Sequence, residues 1–600
     1  MKKYTYKFIV RVLYLLVFIS VFSSGLFCAN EDARYNLIRY EYILNEDGST
    51  VLNYTHQLKY LSYFSINRAL GETFIVYNPD WQKLTIKKAT TTMKDGKKVD
   101  PLPNAFNEVL PGCASRNVPY FNLREMVITH VGLERGSTVD LQYSIETKAD
   151  FLPGLNGLIS VGGRCPIDKL EIIVTIPSSE TLYYNKAYTP EITNNSKKKT
   201  YSWIINKIAL VPDELNQPAM EKLLDYVSFT TMKTEEVEKY IFQDKSIFFQ
   251  DDDIKKVIEK VNDETPSQLE KALALNEFVH SRINYCSCEL ETIGFKPRSA
   301  SKTLRKASGS SLDRAILLKT LLDGSGIKNE IDFIVERKDP LVENILCYKK
   351  PIVIFEIDGL NYYLDPNSSQ NTICIEGLYG KNTMRNLENQ KNFTPSDKIY
   401  QKINGDITES QVINSKMYLK LGGRNIPSFK NDEINETIKS WYQALNYDSI
   451  SIKDNYKTNM QSNVDRNIVM TNKSCGKITD KIWYFTLPYP KNSLINIGLT
   501  VNPEKRDTPL EIGKNIDEEY EFEYSLPDNI KFSQNSKTID VSNDAGKLKS
   551  KIEVKSGKLI VYRKIFIENS TIEAKDYKSY RELMVHWFDK DFVDIYFLIE

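Results

Sequence analysis

Short alternating stretches separated by turns dominate the chain from about Asn36 to Val211. One stretch predicts two strands around an Asn-Glu-Asp-Gly turn, RYEYILNEDGSTVLNYTHQLKYL. Such a turn is typical of a hairpin because asparagine and glycine accept positive φ angles. Further strands are predicted in VGLERGSTVDLQYSIET, KLEIIVTIP and EITNNSKKKTYSWII. The region has no convincing helical pattern, so we predict an antiparallel β-sandwich-like domain over residues 30–215 and no parallel α/β sheet.

Helical spacing begins near Glu214, first in MKTEEVEKYIFQ and DDDIKKVIEKVN. In TPSQLEKALALNEFVHSRI, Thr265 is a candidate N-cap and Pro266 suits the first helical position. Four apolar residues of this segment fall on one helical face: Leu269, Ala272, Leu275 and Phe278.

Another helix is predicted in GSSLDRAILLKTLLDGSGI, from Gly309 to Ile327. Strands follow in NEIDFIVER and PIVIFEIDGLNYYLDP. This order of helices and then strands predicts a compact α+β core within residues 216–400.

Strand patterns return after Lys416, in KIWYFTLPYP, LINIGLTVN, EEYEFEYSLP and SKIEVKSGKLIVYRKIFI. One helical stretch, DEINETIKSWYQAL, interrupts them. We predict a C-terminal β-rich domain over residues 401–600. The whole chain is therefore expected to be an α+β multidomain protein.

The N-terminus has the pattern of an export signal. Three lysines among the first seven residues precede an apolar run from Val12 to Phe22. This run is too short to span a bilayer but suits a signal peptide, predicted over residues 1–29. We expect a periplasmic or cell-surface protein. Lipidation of Cys28 is the less favoured alternative because the bulky Phe27 precedes it, and no later stretch is long enough for a transmembrane helix.

Charge and composition exclude several classes of protein. The chain has 79 basic and 79 acidic residues, without the basic excess expected of a nucleic-acid binder. The four histidines are scattered (His56, His130, His280 and His586), so no metal site and no cofactor are expected.

The eight cysteines leave an odd number when Cys28 is set aside, so at least one thiol stays free or pairs between chains. A disulfide between Cys113 and Cys165 is one option. Cys286 and Cys288 are a weak signal for a metal or redox site because no second pair accompanies them.

The middle region contains the most informative pattern. The sequence PRSASKTLRKASGSSLDRAILLKTLLDGSGI, followed by a strand and EIDGLNYYLDP, resembles the core of the transglutaminase-like family. It is most similar to exported bacterial members with a β-rich domain of unknown function before that core. The resemblance implies a papain-like α+β core. In active members, a cysteine at a helix N-terminus, a histidine and an aspartate perform acyl transfer or hydrolysis through a thioester.

Two of the three catalytic positions differ from the family pattern. Ser311 stands at the cysteine position, and Lys350 stands at the histidine position. A one-residue slip in the alignment would place Lys349 or Pro351 there, and neither is a histidine. Asp365 matches the third position. We therefore expect no catalytic residue, with Ser311, Lys350 and Asp365 as the degenerate triad positions.

Structural roles explain several of these residues. Ser310, at the position of a family aspartate, is predicted to be the helix N-cap with Asp313 three residues later. Gly326 is the expected glycine beyond the helix C-terminus. Asp365 also belongs to an Asp-Pro turn, and His280 is expected to pack near its helix end.

The resulting hypothesis is a non-catalytic, exported scaffold or binding protein of the cell envelope. Its cleft would hold a peptide or a glycan, and its β-rich domains would dock to an envelope partner. The oligomeric state stays open. The alternative is an active amide or ester hydrolase or acyl-transferase, with Lys350 as the base for Ser311. That dyad requires a desolvated lysine within hydrogen-bond reach of the serine hydroxyl.

Overall fold

The computed structural model describes residues 31–265, 267–335, 344–357, 360–368, 382–383, 397–427, 431–447, 449–453, 463–473, 476–497 and 503–600. The predicted signal peptide and Cys28 lie outside these residues. Within them, no helix is both long and apolar enough to cross a membrane. The chain is a multidomain α+β protein with large mixed β-sheets.

The N-terminal region consists mainly of strands. They are β1 (Ala33–Leu44), β2 (Thr50–Tyr60), β3 (Glu72–Tyr77), β4 (Gln82–Thr92), β5 (Lys98–Val99), β6 (Phe106–Val109), β7 (Arg124–Thr129), β8 (Thr138–Thr147), β9 (Asn156–Val161), β10 (Ile167–Pro177), β11 (Tyr183–Tyr184), β12 (Glu191–Asn194), β13 (Lys198–Ile208) and β14 (Asp225–Thr230). Two four-residue helices, not predicted from the sequence, accompany them: α1 (Arg68–Gly71) and α2 (Met220–Leu223).

The predicted first hairpin is confirmed. β1 and β2 pair antiparallel, and Gly48 in the turn has a φ of 81°, which glycine adopts without steric cost. The eight-stranded sheet has the order β12-β13-β10-β1-β2-β8-β4-β5. The prediction of an antiparallel domain fails for one pair of this sheet, because β1 and β10 run parallel. The long connection between them allows this, since parallel neighbours need a crossover.

Two small sheets pack against the large one and complete the sandwich-like layers. Their strand orders are β11-β14-β9 and β3-β7-β6. Buried side chains of β9 and β14 join those of β10 and β13 in one apolar cluster, and those of β3 and β7 join β8 in another. β14 lies beyond the predicted boundary at residue 215, yet it pairs with β9.

The middle region begins with helices and continues into a sheet. Its elements are α3 (Thr234–Ile241), α4 (Asp252–Glu264), α5 (Gln268–Arg282), β15 (Asn284–Cys286), α6 (Ala300–Lys306), β16 (Ser308–Ser310), α7 (Ser311–Gly324), β17 (Asn329–Val335), β18 (Lys350–Ile357), β19 (Leu360–Leu364) and β20 (Asn382–Thr383). The last four strands form one sheet in the order β19-β18-β17-β20.

Helix α5 starts later than predicted. Its N-cap is Ser267, whose hydroxyl accepts the backbone N–H of Glu270 in a capping box, so Thr265 is not the cap. Pro266 lies outside the described residues. Leu269, Ala272 and Leu275 are buried as the pattern predicted.

Helix α7 is the buried centre of this region. Its apolar residues, including Leu312, Ile316 and Leu321, join the core formed with α4, α5 and the sheet. The helix ends as predicted: Gly326 has a φ of 72°, and the N–H of Ile327 donates to the carbonyl of Leu322.

The C-terminal region returns to strands. Its elements are β21 (Lys398–Ile407), β22 (Ile413–Gly422), α8 (Asn431–Gln443), β23 (Ser449–Lys453), β24 (Asn463–Asn472), β25 (Lys477–Thr479), β26 (Ile482–Thr486), α9 (Leu494–Ile497), β27 (Leu510–Glu511), β28 (Ile516–Ser525), β29 (Ile530–Phe532), β30 (Lys537–Asn543), β31 (Gly546–Lys555), β32 (Lys558–Ile567), β33 (Thr571–Ile572), α10 (Tyr577–Trp587) and β34 (Asp594–Ile599).

One C-terminal prediction was wrong, and one helix was missed. The stretch LINIGLTVN was predicted as a strand, but its first four residues form α9, and its remainder lies outside the described residues. Helix α10 was not predicted. Its tyrosines, Leu583 and Trp587 pack into the core beneath the eight-stranded sheet β23-β24-β22-β21-β28-β32-β31-β30.

Side-chain hydrogen bonds join the three regions. The buried amide of Asn344 donates to the carbonyls of Gly157 at 2.8 Å and Phe229 at 2.9 Å. Further along, the carboxylate of Glu214 accepts the N–H of Thr508 at 2.7 Å. Arg506 donates to the carbonyl of Leu215 at 2.7 Å. These contacts fix the middle and C-terminal regions against the first.

A buried carboxyl lies in the C-terminal core. Glu518 accepts the N–H of Leu494 and the hydroxyl of Tyr520, both at 2.8 Å. Burial raises its pKa to about 7, although the charges of Lys514 and Arg563 oppose the increase. The folded protein therefore retains a proton that the unfolded chain releases.

This proton predicts a pH dependence of stability. As the pH rises from about 4.5 to about 7, the contribution of Glu518 should fall by about 3 kcal/mol, because the unfolded state has released a proton that the folded state still holds. Above about pH 7 the folded state has lost this proton too, so the contribution stays constant. Glu518→Gln should remove this decline from the free energy of unfolding, measured by urea titration at several pH values. The neighbouring outward-facing Glu519→Gln is the control. Parallel pH curves for wild type and Glu518→Gln would contradict the prediction.

Candidate functional site

The site is built around the N-terminus of α7. Ser310 is the N-cap: its hydroxyl accepts the N–H of Asp313 at 3.2 Å, and the Asp313 carboxylate accepts the Ser310 N–H at 3.1 Å. This capping box confirms the structural role predicted for Ser310. Ser310 also ends β16, which pairs in parallel with β15 so that Cys286 lies opposite Ser310.

Asp313 is fully buried and has partners from other segments. The hydroxyl of Tyr120 donates to one carboxylate oxygen, and the backbone N–H of Arg298 donates to the other at 2.7 Å. The Arg298 guanidinium lies 4.0 Å away. Desolvation raises the pKa of Asp313, whereas these donors and the cation act in the opposite direction.

Tyr120 belongs to a segment that we call the N-terminal plug, residues 111–123. It contains two short 3-10 helices and packs against the helix N-terminus. Besides donating to Asp313, the Tyr120 hydroxyl accepts the N–H of Ser310 at 2.9 Å. The Asn117 side chain accepts the hydroxyl of Ser308 at 2.5 Å. The plug therefore supplies buried polar partners to β16 and α7 from almost 200 residues earlier in the chain.

A disulfide also holds the plug. Cys113 is bonded to Cys288, so the option of a Cys113–Cys165 bond is wrong. Cys165 is a half-buried free cysteine. This bond also assigns Cys288 a structural partner that the sequence pattern Cys-x-Cys did not reveal.

Ser311 is the first residue of α7, and its exposed fraction is 8%. Within the described ranges its hydroxyl makes no hydrogen bond. The exposed N–H groups and the dipole of a helix N-terminus favour negative charge nearby. An aliphatic hydroxyl nonetheless needs a strong base to become a nucleophile.

Lys350 and Asp365 lie together, as an ion pair. The distance from Lys350 Nζ to Asp365 Oδ2 is 3.0 Å, and the exposed fractions of the two side chains are 40% and 8%. Lys350 begins β18 and Asp365 follows β19, and these strands pair antiparallel. The other Asp365 oxygen accepts the N–H of Asn367 at 2.9 Å, which keeps the carboxylate in its turn.

The geometry does not provide a serine–lysine dyad. In the described part of the chain, no hydrogen bond joins the Ser311 hydroxyl to the Lys350 amine, and Lys350 is partly solvated. The Lys350 amine is instead paired with the Asp365 carboxylate. A general base must lie within hydrogen-bond reach of the proton that it takes, so this arrangement works against base catalysis by Lys350.

Arg314, in the first turn of α7, connects this helix to the end of α5 and to the turn after β19. Its buried guanidinium donates to the carbonyls of Val279 and His280, at the end of α5, and to the side-chain oxygen of Asn367. Desolvation lowers its pKa to about 10. His280 thus contributes its backbone carbonyl, and no hydrogen bond from its ring to Ser311 exists among the described residues.

Tyr285 forms an exposed wall of the site. Its ring lies 5.5 Å from the Arg314 guanidinium, and 46% of its surface is exposed. Burial of the hydroxyl and the charge of Asp365 raise its pKa. The exposed part of its ring is available for packing against a bound molecule, whereas Ser311 and Lys350 offer hydrogen-bond donors. No group of three or more metal ligands occurs in the described residues.

Sequence reasoning missed Tyr120 and Tyr285 as residues of this site. Tyr120 is remote in sequence, and no pattern around it indicates a contact with α7. Tyr285 stands next to Cys286, a residue that the sequence did single out. Arg298 lies in the Pro-Arg lead of the family resemblance, which was a usable signal for its position before the helix.

Two family models match the flanking regions. Residues 46–212 match the domain of unknown function DUF3857, and residues 483–597 match the domain of unknown function DUF3858, both described as having a solved structure. These matches identify a domain of unknown function before the middle region and another after it. No curated protein matches the chain.

A solved structure shares the fold over nearly the whole chain. It is described as "a putative protease" from Parabacteroides distasonis ATCC 8503, with a TM-score of 0.73 and 21% identity over 95% of this chain and 100% of that chain. A second, described as "a putative cysteine protease" from Cytophaga hutchinsonii, has a TM-score of 0.17 and 11% identity over 60% of this chain and 86% of that chain. Only the first similarity supports a common fold, and at this identity it supports the fold alone.

The plug contact predicts a measurable loss of stability. Tyr120→Phe keeps the ring but removes the hydroxyl shared by Asp313 and Ser310, leaving buried polar groups short of a partner. We expect the free energy of unfolding to fall by about 1–3 kcal/mol in urea titration.

The control for this measurement is Tyr63→Phe, which removes a hydroxyl from an exposed tyrosine. Its effect should stay within about 0.5 kcal/mol. Equal effects of the two substitutions would show that the Tyr120 hydroxyl does not stabilise the helix N-terminus.

Proposed function

We propose that this chain is a non-catalytic transglutaminase-like protein, exported to the cell envelope, where it binds a peptide or a glycan. The observation that supports this most is the ion pair between Lys350 and Asp365. The family's histidine would stand at the position of Lys350 and would be oriented by the aspartate. Here the aspartate neutralises a cation.

The loss of chemistry follows from both substitutions together. Ser311 has neither the acidity of a thiol nor a neighbouring base in the described residues. Restoring only one position would leave the other without a partner. Acyl transfer through a covalent intermediate therefore has no route through Ser311, Lys350 and Asp365.

Binding a molecule requires complementary contacts but neither a nucleophile nor a general base. The Ser311 hydroxyl and the Lys350 side chain can each form a hydrogen bond with a carbonyl or hydroxyl of a bound molecule, and the exposed part of the Tyr285 ring can pack against it. The buried network of Asp313 and Arg314 holds the surrounding backbone in place. A rigid site of this kind reduces the ordering cost of binding.

Export is the second part of the proposal. It rests on the lysines and the apolar run of residues 1–29, which suit a signal peptide without a membrane span. The flanking β-rich regions would then meet an envelope protein as partner.

A hydrolase is the competing hypothesis, and one observation favours it. The Ser311 hydroxyl stands at a helix N-terminus and is not engaged in a hydrogen bond within the described ranges. If Lys350 released Asp365 on substrate binding, its amine would be the candidate base for Ser311.

An activity assay separates these two functions. The mature protein, Ser311→Ala and Ser311→Cys should be incubated with pools of peptide amides and esters. We expect no turnover above buffer for wild type or Ser311→Ala, because the Lys350 amine is paired with Asp365 and makes no hydrogen bond to Ser311 among the described residues. Turnover by the wild type that is lost in Ser311→Ala would refute the non-catalytic function. Ser311→Cys with Lys350→His tests whether restoring both positions restores activity.

A binding assay tests the other half of the proposal. Panels of envelope-derived peptides and oligosaccharides should be titrated calorimetrically into the wild type, Lys350→Ala and Lys328→Ala. Lys328 is exposed and pairs with Glu356, away from the site, so it is the matched control. We expect about tenfold weaker binding for Lys350→Ala alone, the loss of about 1.4 kcal/mol. Equal affinities of both variants would exclude the surroundings of Lys350 as the binding site.

A further inference from the structure

Three cysteines lie together where the N-terminal plug meets the middle region. The Cys113–Cys288 disulfide is packed with Cys286, Tyr120 and Leu123 in one buried cluster. Cys286 is not in a disulfide, and its thiol donates to the backbone carbonyl of Cys113 at 3.4 Å. The Cys286 thiol therefore contacts Cys113, one of the two cysteines of the disulfide. A single residue separates Cys286 from Cys288, the other cysteine.

We propose that Cys286 is an exchange thiol, which moves the covalent link of the plug from Cys288 to Cys286. The Cys286 thiolate attacks the Cys113 sulfur, a bond forms between these two atoms, and the Cys113–Cys288 bond breaks. Cys288 leaves as a thiolate and takes up the proton that Cys286 lost. No electrons enter or leave the protein, so no external oxidant or reductant is required.

The two links tie the plug to different parts of the site. Cys286 belongs to β15 and lies opposite Ser310, the N-cap of α7. Cys288 lies two residues beyond this ladder. Exchange therefore moves the link onto the strand that adjoins the helix N-terminus, and it converts Cys288 into a free thiol. The inference depends on the plug and the cysteines and is independent of the proposed binding function.

The surroundings of Cys286 keep the exchange slow. Burial raises the pKa of its thiol, and the charge of Asp313 acts in the same direction. A hydrogen bond from the backbone of Cys288 and the charge of Arg298 oppose this. Since the thiolate is the attacking form, the Cys113–Cys288 link persists until the thiolate is populated or the plug moves.

Disulfide mapping tests the exchange in the full chain. The oxidised wild type should be held at mildly alkaline pH without added thiol, quenched in acid, alkylated and digested for mass spectrometry. We expect a Cys113–Cys286 peptide to appear as the Cys113–Cys288 peptide declines. If the wild type stays folded and only the Cys113–Cys288 peptide is found, the proposal is wrong. It is also wrong if Cys113 becomes linked to Cys165 instead of Cys286.

Variants isolate Cys286 as the partner. In Cys288→Ala prepared under air, with dissolved oxygen as the oxidant, Cys113 should form a disulfide with Cys286 and stay protected from alkylation. In Cys288→Ala with Cys286→Ala, prepared in the same way, Cys113 should be labelled. Half-buried Cys165 serves as the labelling reference in both. Equal labelling of Cys113 in the two variants would refute the exchange. The wild-type mapping decides the question if either variant fails to fold.

Discussion

The arrangement of the site depends on one buried carboxyl, that of Asp313. A carboxylate without solvent is costly unless donors surround it. Here the donors come from the N-terminal plug through Tyr120, from the lead segment through Arg298, and from the helix cap through Ser310. The same contacts that satisfy the charge also fix where the helix begins. The position of Ser311 is therefore a consequence of electrostatics that involves residues far apart in sequence.

A second charged contact, between Lys350 and Asp365, joins two neighbouring strands of the middle sheet. The turn after β19 orients Asp365, and β18 begins beside it. Lys350 fills the neighbouring position, and its amine lies 3.0 Å from the Asp365 carboxylate. An acid that orients a histidine leaves one ring nitrogen free to accept a proton, whereas an acid that pairs with an ammonium leaves no such acceptor.

Local patterns were sufficient where neighbouring residues decide the structure. The Gly48 turn, the Ser310 cap and the Gly326 terminus each follow from short-range backbone chemistry, and the structure has them as predicted. Long-range partners could not be predicted in this way. The sequence contains nothing that pairs Cys113 with Cys288 rather than Cys165, or that directs Tyr120 to Asp313. Such choices depend on how separate regions pack, and one sequence contains that information only implicitly.

The pairing of β14 has a consequence for how the chain can be divided. β14 is the middle strand of its sheet, between β11 and β9, although it follows them by tens of residues. A fragment that stopped at residue 215 would expose the hydrogen-bonding edges of both neighbours, beside the apolar Ile159 and Val161. Unprotected edges of this kind recruit strands from other molecules. The recombinant N-terminal region should therefore be soluble only when it extends through residue 230.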